Sequence, residues 1–426
     1  MQSDVESLFT LGRIAGRGLL SGILCSGILF ALFTYYLKDI MAPANKKDYD
    51  KMALAAHKQM RGKLEVVSKG KLKTKDDWST MYSPGVAAVS SHVAKNPADA
   101  RKYTIKGNTV AVVSDGSAVL GLGNIGPLGA LPVMEGKCAI FKEMAGVDAF
   151  PVVLDTQDTE EIIAVVKAIA PGFGGINLED ISAPRCFEIE ERLKEELDIP
   201  VFHDDQHGTA IVVLAGLINA AKVVGKKLEK MRVVIVGAGA AGRAVALLLT
   251  EAGIQEVIVT DRQGIIFEGR TGLIPYKKAL AKVTNRAFLQ GEVLDAVDGA
   301  DVLIGVSGPG TISRHHIEKM APQAIVFALA NPIPEIKPED AQLAGAAVVA
   351  TGRSDYPNQV NNSLVFPGLF KGALATGVAN ITEDMKLAAA KKLASLVSKP
   401  TSTEIIPGVM TTDLAKKVAS VVKKGK

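Results

Sequence analysis

Apolar positions along this chain alternate between two kinds of spacing. Short unbroken aliphatic runs, such as "TVAVVS", "AFPVVLDT" and "RVVIVG", are separated by longer stretches in which apolar residues return every three or four positions, as in "EEIIAVVKAIAP" and "CFEIEERLKEEL". Runs of the first kind read as strands buried on both faces, and the second spacing reads as amphipathic helix. Their alternation predicts parallel sheets with crossover helices. The first series of strands is "TVAVVSDGSAVL", "AFPVVLDT", "GGINLEDI" and "IPVFHDD", and the helix "MEGKCAIFKEMAG" lies between the first two. "GTAIVVLAGLINAAKVVG", apolar on every side, predicts a long buried helix that starts after His207 and bridges into a second domain. From Met231 the pattern restarts with "RVVIVGAGAAGRAVALLLTEAG" and "IQEVIVTDR", and "ADVLIGVS", "AIVFALA" and "AAVVATG" continue it.

The restart carries the first chemical signal. Gly237, Ala238, Gly239, Ala240, Ala241 and Gly242 form a G-x-G-x-x-G turn that closes a strand and opens a helix, and Asp261 ends the next strand. Glycines there permit a tight turn and close approach of backbone to a pyrophosphate, which the helix N-terminus attracts. Asp261 suits the adenosine ribose hydroxyls of NAD, while its neighbour Arg262 admits the 2′-phosphate of NADP. A second match, Gly121, Gly123 and Gly126, is followed at once by Pro127 with no clear helix opening, and reads as a loop. The expected fold class is therefore α/β, with a hydrophobic N-terminal segment over residues 1–40, a substrate- and metal-binding domain over 41–205, and a Rossmann-type dinucleotide-binding domain with C-terminal helices over 206–426.

Bulk properties exclude more than they assign. The 426 residues carry a net charge of only +4, and the basic "KKVASVVKKGK" reads as a solvated helix end, so nucleic acid is not an expected partner. Cys25, Cys138 and Cys186 have no paired spacing, which suits a reducing compartment and suggests neither a disulfide framework nor a zinc cluster. Residues 18–36, "GLLSGILCSGILFALFTYY", are uncharged and about long enough to cross a bilayer as a helix. Three readings stay open for that stretch: a membrane anchor for cytoplasmic catalytic domains, a signal peptide cleaved near "APA", or a dispensable extension.

Two acidic pairs sit at predicted strand ends, Glu179 and Asp180 in "NLEDIS" and Asp204 and Asp205 in "FHDDQ". Ligands of open parallel sheets collect outside the carboxyl ends of the strands, so these acids can converge, and oxygen ligands suit Mg2+ or Mn2+ rather than zinc. Adjacent strand residues point to opposite faces, so Glu179 and Asp180 can share a cation only where the strand has ended. The histidine pair His203 and His207 has helical zinc-protease spacing, but a helix starting after His207 removes it.

Beyond these signals, "MYSPGV", "VVSDGSAVLGLGNIGPLGALPVMEGK", "GGINLEDISAPRCFEIEERL", "PVFHDDQHGTA", "VVIVGAGAAG", "FALANPIPEI" and "ATGRSDYPNQVNNSLVFPG" together resemble the malic enzymes of the short bacterial and archaeal type. The resemblance implies metal-dependent oxidative decarboxylation of L-malate to pyruvate and carbon dioxide with reduction of NAD or NADP. It implies that Tyr82 is the acid, Lys137 the base and Asp204 an auxiliary in proton transfer, that Glu179, Asp180 and Asp205 hold Mg2+ or Mn2+, that Asn331 contacts cofactor and substrate, and that Asn361 and Asn362 hold the substrate carboxylate. A homodimer or higher homo-oligomer is expected. Lys137 can act as a base only if burial and a nearby cation lower its pKa. One departure concerns the carboxylate clamp: larger relatives carry an arginine where this chain has Ala118, and Asn124 replaces an aspartate. A dehydrogenase that oxidises a 2-hydroxy acid without decarboxylation and a membrane-tethered dinucleotide sensor are the alternatives.

Overall fold

The computed structural model describes residues 48–119 and 121–424. The hydrophobic segment 18–36 lies outside the described residues, and no described helix is long and apolar enough to cross a membrane. Up to Arg61 the described chain is one helix, α1 (Tyr49–Met60), capped by the Asp48 carboxylate, which accepts from the Lys51 amide, and it buries no residue.

From Gly62 onward the predicted alternation is present. Helices α2 (Lys75–Met81) and α3 (Val86–Lys95) precede a four-stranded parallel sheet ordered β2-β1-β3-β4, built from β1 (Thr109–Ser114), β2 (Asp148–Val153), β3 (Gly175–Leu178) and β4 (Val201–His203). Its crossover helices are α4 (Gly126–Ala145), α5 (Thr159–Ile169) and α6 (Arg185–Glu196). The loop expected around Gly126 is instead the first turn of α4, because Pro127 occupies a position whose N–H needs no intrahelical partner and its fixed φ suits the helix start. Gly121 and Gly123 do stay outside the helix, at φ of +74° each.

Helix α7 (Asp204–Val223) follows β4 without a break. It starts at Asp204, four residues earlier than expected, so both aspartates stand in its first turn, where the positive end of the helix dipole favours carboxylates. The helix is buried on nearly all sides, and Gly216 lets the Phe327 ring of the second sheet approach closely. That second sheet has the order β10-β9-β8-β5-β6-β7, with β5 (Arg232–Val236), β6 (Glu256–Asp261), β8 (Val302–Gly305), β9 (Ala324–Ala328) and β10 (Ala346–Thr351) parallel and the short β7 (Gly264–Ile265) antiparallel at the edge. Helix α8 (Ala240–Glu251) opens directly from the glycine turn, and α9 (Pro275–Val283) packs beside it.

The C-terminal helices α10 (Phe366–Thr376), α11 (Glu383–Ser395) and α12 (Leu414–Ala419) return to the first sheet. Phe366 and Phe370 of α10 pack edge-on against Phe141 of α4, with ring centroids 4.7 and 5.4 Å apart, and the Lys371 ammonium donates to the Ala145 carbonyl. A continuous core consequently runs from Val110 and Val112 through α4 and α7 to Val233, Ile235 and Phe327. Such packing fixes the carboxyl ends of both sheets as rigid walls for whatever lies between them.

Candidate active site

Three carboxylates meet because two strands stop short. Strand β3 ends at Leu178, and Asp180 takes a left-handed φ of +53°, so Glu179 and Asp180 turn toward the same side. Strand β4 ends at His203, and the helical turn that follows brings Asp205 to them. One carboxylate oxygen from each of Glu179, Asp180 and Asp205 lies within 4.8 Å of the other two. The Asp205 Oδ2 also accepts from the Asp180 amide at 2.8 Å, which locks the two segments together. Anionic oxygens that close and that buried need a cation, and an all-oxygen donor set fits Mg2+ or Mn2+.

Lys137 reaches this cluster from the middle of α4. Its ammonium, with the side chain 7% exposed, donates to Glu179 Oε1 and, at 2.6 Å, to Asp204 Oδ2. Burial pulls the ammonium toward neutrality, but Asp204, Glu179 and Asp205 outweigh it and hold its pKa above the ordinary lysine value. The expected lowering is therefore not found in the chain alone. Burial also raises the Glu179 and Asp204 carboxyls, with the neighbouring Asp205 charge adding in both cases. Asp204 needs Gly208 beside it: a Cβ at Gly208 would meet Asp204 Oδ1 at 1.8 Å. That same Oδ1 is buried with no hydrogen-bond partner, an acceptor left open at the site.

Of the two histidines, His207 serves the scaffold, while the ring of buried His203 makes no hydrogen bond and its Nε2 stands 3.7 Å from Asp205 Oδ2. Glu190 of α6, deeply buried, accepts from the His203 amide, from Gln206 Nε2 and from Lys194 at 3.0, 3.0 and 2.6 Å. His207 Nε2 lies 2.9 Å from Glu190, and its Nδ1 lies 3.0 Å from the Lys386 ammonium of α11. An ammonium can only donate, so Nδ1 accepts and Nε2 carries the proton to Glu190. Burial keeps this imidazole neutral, with its pKa down at about 4. Both its nitrogens are thus occupied away from the carboxylate triad. The zinc spacing fails for this reason, and the helix start that was expected to break it is not where the helix begins. None of Glu190, Lys194 and Lys386 was singled out in the sequence; a buried charge network joining three helices leaves no local motif.

A cavity of about 150 Å3 joins the two sheets here. Asp205 and Thr209 line it from α7, Ala241 from the glycine turn, and Asn331, Asn361 and Asn362 from loops of the second half. Asn361 Oδ1 caps its own short helical turn by accepting from the Ser363 amide, which leaves its amide nitrogen as the available group. A larger cavity, about 300 Å3 and lined by Ile312, Arg314, Ile333 and Asp340, holds none of these groups.

The glycine turn is built for close packing on two sides and left open on a third. A Cβ at Gly237, whose φ is +119°, would meet the Val306 carbonyl at 2.5 Å, and one at Gly242 would meet the Gly237 carbonyl at 1.8 Å. At Gly239 a Cβ would meet nothing within 4 Å, and no side chain caps the helix that begins there. The turn therefore offers uncapped N–H groups and free space, as a pyrophosphate requires. Asp261 stands at the end of β6 as expected, but its Oδ2 accepts from Arg270 at 2.5 Å and from Lys277 at 2.6 Å, and its Oδ1 from the Gln263 amide. Burial works against the charge, yet these donors hold its pKa down to about 2.

Tyr82 is not brought to this site. It caps the end of α2 and is 66% exposed, and no residue of α2 or α3 lines the cavity.

Fold and site define a two-sheet α/β protein of the dinucleotide-binding class, with a carboxylate triad at the seam. The chain belongs to the malic enzyme family: residues 61–194 match the family model for the malic enzyme N-terminal domain, and residues 206–425 match that for the malic enzyme NAD-binding domain. It is 59% identical over 363 residues to a NAD-dependent malic enzyme of Geobacillus stearothermophilus, covering 85% of this chain and 76% of that one. It is 52% identical over 375 residues to the bifunctional malic/malolactic enzyme of Bacillus subtilis, covering 87% and 92%. Among solved structures, the NAD-dependent malic enzyme of Thermotoga maritima superposes with a TM-score of 0.85 at 48% identity, covering 88% of this chain and 99% of that one.

Proposed function

We propose that this chain catalyses the oxidative decarboxylation of L-malate to pyruvate and carbon dioxide, reduces NAD or NADP, and requires Mg2+ or Mn2+. The observation that carries this reading is the Lys137 ammonium, held by Glu179 of the carboxylate triad and by Asp204, one residue from the Asp205 that lines the inter-sheet cavity. A dehydrogenase of simple hydride transfer has no need of a buried lysine beside a cation-binding triad.

When bound by Glu179, Asp180 and Asp205, the divalent cation supplies Lewis-acid polarisation of the substrate oxygens. The glycine turn from Gly237 to Gly242 would hold the pyrophosphate of a dinucleotide, which would supply the hydride acceptor. Lys137, in its neutral form, takes the proton of the C2 hydroxyl, and Asp204 at 2.6 Å can receive it in turn. The carboxylates around Lys137 oppose its use as a base until their charge is balanced. Asn331, Asn361 and Asn362 offer amide donors to substrate carboxylates, a task for which this chain has no arginine at position 118. Loss of carbon dioxide leaves the enolate of pyruvate; Tyr82, the acid that the family resemblance implies, gives a proton to its C3 as the carbonyl forms, and the proton taken up by Lys137 and Asp204 replaces it on the tyrosine through water. Formation of NADH or NADPH from malate with Mn2+, abolished by EDTA and restored by added Mn2+, is the expected behaviour. Malate oxidation that survives complete removal of metal overturns the reading.

Cofactor preference follows from the paired Asp261. With Arg270 and Lys277 on its carboxylate and Arg262 alongside, the subsite carries more positive than negative charge and admits a 2′-phosphate as well as a free hydroxyl. A hydrogen bond to a charged partner is worth roughly 1.5–3 kcal/mol, or about tenfold and upward in affinity. Lys277→Gln is accordingly expected to weaken binding of 2′-phospho-AMP by about tenfold and to leave AMP binding nearly unchanged, as measured by calorimetry.

A further inference from the structure

The segment that carries Asp204 and Asp205 is held from outside the site by one carboxylate. Glu190 of α6 is buried, and each of its oxygens takes two donors. Oε1 accepts from the His203 amide at 3.0 Å and the Lys194 ammonium at 2.6 Å, and Oε2 accepts from Gln206 Nε2 at 3.0 Å and His207 Nε2 at 2.9 Å. Three of these groups flank the two aspartates in the chain, His203 directly before Asp204, and Gln206 and His207 directly after Asp205. Donors on both oxygens are the complement of an ionised carboxylate. The direction of the His207 bond is set from further away. Lys386 of α11 donates to His207 Nδ1 at 3.0 Å and to Glu383 Oε1 at 2.6 Å, so the imidazole proton is on Nε2 and points at Glu190. A lysine of the C-terminal helices thereby fixes the tautomer of a histidine two residues from Asp205.

We propose that Glu190 is a positioning residue for the cation site. It aims the first turn of α7 so that Asp205 meets Glu179 and Asp180 while Asp204 meets Lys137, and Lys386 keeps on His207 the proton that this arrangement requires. The inference rests on the reading of Glu179, Asp180 and Asp205 as cation ligands. Glutamine at position 190 cannot serve the same donors. Its NH2 group must face one pair of them, and against the His203 amide and the Lys194 ammonium it finds nothing that accepts. Against the other pair, Gln206 can turn its amide over and offer Oε1, which has no hydrogen-bond partner among the described residues. His207 can accept at Nε2 only by moving its proton to Nδ1, where the Lys386 ammonium already points. Removing Lys386 lifts that block.

Mn2+ titration of the full chain by electron paramagnetic resonance tests this without turnover. Glu190→Gln is expected to weaken Mn2+ binding by roughly ten- to a hundredfold, the range for groups that orient metal ligands, and to leave dinucleotide binding by calorimetry nearly unchanged. Lys386→Met alone is expected to change Mn2+ affinity by less than about threefold, since His207 keeps its proton on Nε2, and in the Glu190→Gln chain it is expected to restore most of the loss. A role confined to folding gives the opposite pattern, in which the two losses add and dinucleotide binding falls together with Mn2+ binding. That pattern overturns the proposal, as does a Glu190→Gln chain whose Mn2+ affinity stays within about threefold of wild type. Should Glu190→Gln not fold, Gln206→Met, which conserves volume, removes one of the donors to Oε2. Mn2+ binding weaker by about tenfold is then expected, and unchanged binding overturns the proposal. A wild-type chain that does not bind Mn2+ overturns instead the reading of the triad as a cation site.

Discussion

Lys137→Ala is expected to lower kcat by about two to four orders of magnitude, the range over which a positioned general base contributes. The size of the effect follows from where the ammonium sits. It is buried, and it bridges Glu179 and Asp204. Removal also leaves two carboxylates, each already raised by burial, without the cation they share. Their charge is then relieved by proton uptake, so the variant is expected to fold and to bind dinucleotide at the glycine turn as the wild type does. Stopped-flow or steady-state turnover alongside a dinucleotide binding curve separates the two effects. Near-normal turnover with normal binding would reassign the base.

Asp205→Asn is expected to reduce Mn2+ affinity by on the order of a hundredfold or more, since even partners one step removed from a metal cost ten- to a hundredfold when mutated. Asp205 does two things at once: it offers an oxygen to the triad and its Oδ2 takes the Asp180 amide at 2.8 Å. Asparagine can keep the amide contact through its carbonyl oxygen while losing the charge, so the substitution isolates the electrostatic part. Mn2+ titration by electron paramagnetic resonance, which reads free metal and needs no turnover, measures the loss. An affinity within threefold of wild type would remove Asp205 from the ligand set.

Much of the fold was legible because buried parallel strands are continuous aliphatic runs. "RVVIVG", "ADVLIGVS" and "AIVFALA" appear as β5, β8 and β9 within a residue or two of their expected ends. Helix starts were less legible where two signals competed. Pro127 read as a stop and acts as a first-turn residue, and Gly208 read as the start of a helix while serving as the space that Asp204 needs inside one. That the two acidic pairs could converge was expected from strand ends, and the choice of Glu179, Asp180 and Asp205 among them came from the family resemblance, whereas the Lys137 contact depends on α4 lying across those ends, a tertiary fact with no local trace. The same limit hid the partners of Asp261, since Arg270 and Lys277 lie nine and sixteen residues beyond it on a loop and a helix. The exposure of Tyr82 was likewise invisible, because a tyrosine before Ser-Pro reads equally well as packed or as solvent-facing.

What becomes of the malate carbon skeleton decides the assigned reaction. Product analysis after a single-cofactor reaction, by mass spectrometry of the organic acids with carbon dioxide trapped in parallel, measures it most directly. The structure predicts one pyruvate and one carbon dioxide for each NADH or NADPH formed, in the presence of Mn2+ alone. Oxaloacetate accumulating in step with NADH, with no carbon dioxide released, would contradict it.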